Sequence, residues 1–83
     1  REPRAVAIGP NGDVHLLDRL NAQVYRFDPD GALRGTIGAP GNGPGQLSDP
    51  RAVAIEKDGS LLVLDAGRNG VSRFTSDGRF LDF

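Results

Sequence analysis

Pro3-Arg4-Ala5-Val6-Ala7-Ile8 and Pro50-Arg51-Ala52-Val53-Ala54-Ile55 are the same six residues, 47 positions apart. Carried along the chain, that shift aligns residues 3–36 on 50–83 without a gap, and 14 of the 34 pairs are identical. Beyond the hexapeptide the identities are Gly12/Gly59, Leu17/Leu64, Asp18/Asp65, Val24/Val71, Arg26/Arg73, Phe27/Phe74, Asp30/Asp77 and Gly31/Gly78. A fixed period of this length marks a unit that cannot bury its apolar faces alone and stacks on copies of itself.

Each unit reads as β-structure. Ala5–Ile8 is short, apolar and partly β-branched, and Gly9-Pro10-Asn11-Gly12 closes it with turn chemistry. Val14–Leu17 follows closely enough to form a hairpin, Asp18 opens the polar loop 19–22, and Gln23–Phe27 is a third strand. Asp28-Pro29-Asp30-Gly31 is a turn, with a Pro that presets φ and a Gly that accepts a positive φ, and Ala32–Ile37 is the fourth strand. The second unit predicts strands near 51–55, 61–65, 70–74 and 79–83. The expected fold is all-β, with two four-stranded antiparallel meanders. The units are assigned to residues 1–37 and 50–83, joined by a Gly/Pro-rich connector at 38–49. A free linker would have no use for Leu47, which is expected to pin the connector to the body of the fold.

A chain of 83 residues buries only about 60 to 65% of the surface its unfolded form exposes, so the core is small. With no cysteine and one histidine, neither disulfides nor a multi-histidine metal site can supplement it. A net charge of -1, with acids and bases interspersed, gives no general electrostatic case for nucleic acid or an anionic membrane. The longest apolar run, Leu61–Leu64, is far shorter than the roughly 18 residues of a membrane span. The chain starts at Arg1 and has no methionine, which points to a processed product or a segment of something longer, and nothing in it assigns a compartment.

In this order, and twice over, the proline with its small apolar strand (Pro3–Ile8, Pro50–Ile55), the Gly-to-Asp second strands (Gly12–Asp18, Gly59–Asp65), Val and Phe in the third (Val24, Phe27; Val71, Phe74) and the turns Asp28–Gly31 and Ser76–Gly78 resemble NHL repeats. These are blades of a β-propeller family, and the connector with Gly38, Gly41, Gly43, Gly45 and Gln46 resembles the family's glycine-rich link. One departure stands out. The family's Asn-x-Arg before the third strand is replaced by Asn21-Ala22-Gln23 and Arg68-Asn69-Gly70, which removes that arginine from its usual place.

The resemblance implies a ring most often of six blades. Two blades cannot close one, so identical chains packed head to tail would do so, as three chains or, second, as four with eight blades. The alternative is a two-blade fragment of a longer propeller that binds protein or RNA, or of a propeller lyase with its catalytic residues elsewhere. The residues expected to pack between blades are Val6, Ile8, Val24, Phe27, Leu47, Val53, Ile55, Val71 and Phe74. Arg4 and Arg51, on the innermost strand of that reading, are candidates for an anion site at the channel mouth, unless they pair with Asp18 and Asp65. Arg26 and Arg73 are expected on the outer surface. His15 has no partner base or further ligand at a recognisable spacing and is read as structural, and no serine stands in a nucleophile elbow. No catalytic residue, metal or cofactor is expected. The implied function is a non-enzymatic, self-assembling scaffold or interaction module.

Overall fold

The computed structural model describes residues 5–83. Eight strands run in chain order: β1 (Val6–Ile8), β2 (Val14–Asp18), β3 (Gln23–Phe27), β4 (Leu33–Ile37), β5 (Pro50–Ile55), β6 (Leu61–Asp65), β7 (Gly70–Phe74) and β8 (Phe80–Asp82). They form two four-stranded sheets of order β1-β2-β3-β4 and β5-β6-β7-β8, each an antiparallel meander. The expected all-β architecture is the one observed. Among the described residues no helix is long and apolar enough to cross a membrane.

The repeat extends to the backbone. Gly12 and Gly59 each sit at φ 90° in the first turn of their unit, a conformation that a Cβ disfavours. Each donates its N–H to the carbonyl three residues back, Gly9 at 3.0 Å and Glu56 at 2.9 Å. Ala22 and Asn69, also related by the shift, are both left-handed at φ 53° and 56°.

Residues in a strand alternate between faces, so the register decides what each sheet buries. In the first sheet Leu17 lies opposite Val24 and Ile37 beyond it, with His15 opposite Arg26. Leu17, Val24 and Ile37 are buried against the second sheet, whose contribution is Val53, Leu61, Val63 and Phe74. Ala7, Ile55 and Phe80 flank that core, Phe80 meeting Phe74 edge-on with ring centroids 5.7 Å apart.

The opposite faces are open. Val6, Ile8, Leu16 and Leu33 lie on one side of the pair, with the half-buried Phe27, and Leu64 and Val71 on the other. The contrast between repeat equivalents is large: Val6 is 40% exposed and Val53 4%, while Val71 is 43% exposed and Val24 0%. Of the nine residues expected between blades, Val24, Leu47, Val53, Ile55 and Phe74 therefore lie at the seam between the two sheets. Val6, Ile8, Phe27 and Val71 do not; they line the open faces, because each belongs to the face that its own neighbour leaves free.

The connector is held at several points. Leu47 is fully buried, its N–H donates to Ala39 O at 2.7 Å, and its carbonyl accepts from Gly41 N at 3.0 Å. Gly38, at φ 83°, has the Leu47 side chain so close that a Cβ would come within 2.8 Å of Cδ1. Arg68 Nη1 donates to the carbonyls of Gly43 and Gln46, each at 3.2 Å, and its guanidinium stacks 4.3 Å above the Phe83 ring. Arg68 thus ties the second sheet to the glycine-rich connector.

Leu47→Ala removes a fully buried side chain from a small core and is expected to cost about 2–5 kcal/mol by urea denaturation. Leu20→Ala, at a residue that is 93% exposed, is the control and is expected to stay within about 0.5 kcal/mol of the parent. Equal effects would show that the connector is not part of the core.

Candidate functional site

Three turns meet at one end of the seam. In the β1–β2 turn Gly9 N donates to Asp13 O at 2.8 Å, and the Asn11 side chain accepts from Asp13 N at 3.2 Å. The β5–β6 turn repeats this geometry, with Glu56 N donating to Ser60 O at 2.9 Å and Asp58 accepting from Ser60 N at 2.9 Å. Ser76, in the β7–β8 turn, completes the rim. Between them lies a cleft of about 260 Å³ whose lining includes Asn11, Asp13, His15, Lys57, Asp58 and Ser76.

His15 is 1% exposed, and neither ring nitrogen makes a well-formed hydrogen bond, the Ser76 carbonyl being near but out of good geometry. Beside it Arg26 Nη1 donates to Asp13 Oδ2 at 3.0 Å, a partly buried ion pair with side chains 22% and 11% exposed. Arg26 is thus not the outer-surface residue that was expected: its register opposite His15 turns it to the seam face, where Asp13 compensates the charge. Burial pushes the His15 pKa below its ordinary value; the Asp13 carboxylate and the Ser76 carbonyl oppose this, and Arg26 adds to it. The imidazole is therefore neutral near pH 7. Asp13 and this cluster escaped sequence reasoning. The signal for them was the pair of departures from the repeat, Asp13 against Ser60 and His15 against Leu62.

The arginine candidates divide. Arg4 lies outside the described residues. Arg51 is on β5 with its side chain 50% exposed, and its Nη2 lies 3.0 Å from Asp49 Oδ2. Arg19 approaches the same carboxylate at 3.7 Å. The two cations hold the Asp49 carboxyl below the ordinary carboxylate range, Arg51 with the larger effect. The pairing of Arg51 with Asp65 does not form. Asp65 is fully buried and accepts the backbone N–H groups of Ser48, Asp49 and Gly67 at 2.9, 2.8 and 3.2 Å. It fastens the connector to the start of the second sheet, a task that engages both of its oxygens. Arg73 pairs instead with Asp82 at 2.9 Å on the surface. Among the described residues no group of three His, Cys, Asp or Glu is placed to hold a metal ion.

A second, apolar hollow of about 190 Å³ lies on the open face of the second sheet, among Ala52, Ala54, Leu62, Leu64 and Val71.

Residues 9–82 match a protein family described as a 6-bladed beta-propeller. A solved structure described as "Streptogramin B lyase structure" superposes with a TM-score of 0.74 over 98% of this chain, at 20% sequence identity. At that identity the likeness is one of fold. The chain spans 26% of the length of that structure. No curated protein matches it.

The buried imidazole makes stability depend on pH with a definite sign. Its folded pKa is depressed below the unfolded value of about 6.5, so the folded state is favoured by neutral His15 above that pH, and this stability is lost as pH falls through it. Urea midpoints are expected to drop between about pH 7.5 and pH 5. His15→Leu, which installs the residue of the equivalent position, should flatten that part of the profile. An unchanged profile in the variant would assign the acid sensitivity to the carboxylates.

Proposed function

The chain belongs to the six-bladed β-propeller family that residues 9–82 match, and from that premise we propose that it is a pair of NHL-type blades that completes its ring with further copies of itself and acts as a non-enzymatic binding scaffold. One observation carries the reading. The open face of the first sheet (Val6, Ile8, Val14, Leu16, Phe27, Leu33) is the repeat counterpart of the face that the second sheet buries at the seam (Val53, Ile55, Leu61, Val63, Phe74, Phe80). The open face of the second sheet (Leu64, Val71) is likewise the counterpart of Leu17 and Val24, which the first sheet buries. The two exposed faces are therefore shaped for one another and not each for itself. Contact between them is head to tail, and such contacts close into a ring when the rotation per chain divides the circle. With two blades per chain and six in the family's ring, three chains close it.

The NHL assignment rests on the duplicated hexapeptide, the paired Gly turns and the arginine-held connector. The non-enzymatic reading is supported by how the carboxylates are used: Asp65 on backbone N–H groups, Asp13 on Arg26 and Asp58 on Ser60 N. A protein or RNA partner would sit on a face of the ring. An anion drawn to Arg51 would have to displace Asp49. The same two faces serve a second reading, in which the remaining blades belong to one longer polypeptide; it is favoured by the chain spanning 26% of the structure it superposes on.

Sedimentation is expected to give a species of three times the 8.8 kDa chain mass, with a melting temperature that rises with protein concentration. Leu64→Arg places a charge in a face that assembly would dry, and should weaken association by about 100-fold or more, the equivalent of about 3 kcal/mol. A compact monomer whose melting temperature ignores concentration would overturn self-assembly. A chain that folds only when fused to further blades would transfer the conclusion to the longer polypeptide.

A further inference from the structure

The cleft at the end of the seam has no part in ring closure, since both of its walls come from one chain. It holds a built polar site. His15, 1% exposed, lines it; the Ser76 carbonyl acts on the imidazole without a hydrogen bond of good geometry, neither ring nitrogen has a well-formed partner, and an imidazole buried in that way is costly unless something satisfies it. The surrounding charges decide what that partner can be. Asp13, Asp58 and Lys57 line it, and Arg26, outside the lining, is paired with Asp13, so these four charges balance around the imidazole. An anion entering the cleft would lie against the Asp13 and Asp58 carboxylates, and a cation against the Lys57 ammonium. A metal ion lacks the ligands it needs, because no three candidate side chains converge among the described residues.

A hydroxyl meets none of these objections, because it donates and accepts through one atom, as neutral imidazole does through its two nitrogens. Asp58, with Oδ1 on Ser60 N, lines the cleft as an acceptor, Ser76 offers a hydroxyl, and Pro10 contributes an apolar wall of the kind that suits the C–H face of a ring. About 260 Å³ lies at the small end of ligand pockets. We propose that the seam cleft at His15 is a binding site for a neutral polyhydroxy compound of monosaccharide size, held by His15, Asp58, Lys57 and Ser76. The ligand bridges the two sheets, so it also stabilises their contact. The repeat places Leu62 where His15 stands, Ser60 at Asp13 and Pro29 at Ser76, so the site belongs to this seam and is not a general property of the blade.

The test uses the full chain and a panel of free hexoses, pentoses and inositol, each matched by its methyl glycoside where one exists, with acetate, inorganic phosphate and ethylamine as charged probes. The readout is the His15 imidazole 15N shifts, followed with saturation-transfer signals on the ligand. At least one polyol is expected to move the His15 resonances saturably and to raise the melting temperature. His15→Leu should weaken that compound at least about tenfold. Asp58→Asn keeps an acceptor for the Ser60 N–H and so guards against a folding defect; it should weaken binding about threefold. Equal binding of the methyl glycoside identifies a glycan terminus as the source, and loss on methylation a free sugar. If no polyol shifts His15 at about 100 mM, or if a charged probe saturates the site in its place, the proposal is overturned. Neither result bears on the mass of the assembly, so the site and the ring stand or fall separately.

Discussion

The structure depends on one asymmetry: each sheet has two unlike apolar faces, and burial is achieved only when one kind meets the other. Leu17 and Val24 of the first sheet meet Val53, Leu61 and Val63 of the second, and no sheet can satisfy itself. Two meanders of this size would be marginal apart, since an isolated sheet leaves an entire face in water. Stacked, they gain one dry seam and carry the same need to their outer surfaces. The driving force for folding and the driving force proposed for assembly are thus one interaction, applied inside the chain and again at its edges.

Apolar burial is undirected, and polar groups fix the register in which the faces meet. Asp65 is placed where three backbone N–H groups converge, two of them from the end of the connector, and Arg68 holds two carbonyls of the same stretch from the other side. A carboxylate accepting several N–H bonds and a guanidinium donating in a fixed fork are directional where a leucine is not. Its repeat counterpart Asp18 lives differently. It is half-buried and accepts from Tyr25 Oη at 2.6 Å and Asn21 Nδ2 at 2.8 Å, which hold its carboxyl below the ordinary carboxylate range. The same aspartate in the same strand position does two jobs, because only one copy has a connector packed on it within the described residues.

Variation between the units falls where the chemistry differs most. The apolar seam positions change within the aliphatic and aromatic set, as Val14/Leu61, Leu16/Val63 and Leu33/Phe80 do. Asp13, His15 and Arg26 form a charged and polar cluster whose counterparts are Ser60, Leu62 and Arg73, the last paired outward with Asp82. A polar cluster in a seam is costly unless its members compensate one another, and the Asp13–Arg26 pair does so while His15 is left facing the cleft.

What the sequence determined by itself was the periodic part. The 47-residue shift, the turn glycines and the strand alternation carry β6 (Leu61–Asp65), β3 (Gln23–Phe27) and β7 (Gly70–Phe74) to the same bounds in expectation and structure, and the lone Leu47 marks the connector as anchored. These are local properties, set by backbone sterics and by a side-chain period of two. Tertiary structure alone decided which of the two faces of each sheet is buried by the other sheet. Alternation sorts Val6 and Ala7 to opposite sides without saying which side meets the other sheet of the same chain, and that is why Val6, Ile8, Phe27 and Val71 fall on the open faces and not at the internal seam. It also decided the ion pairs. Arg51 found Asp49 two residues away instead of Asp65, and Arg26 turned inward to Asp13, because a charged side chain takes the nearest carboxylate not already saturated by backbone N–H groups, and that inventory exists only once the chain has folded.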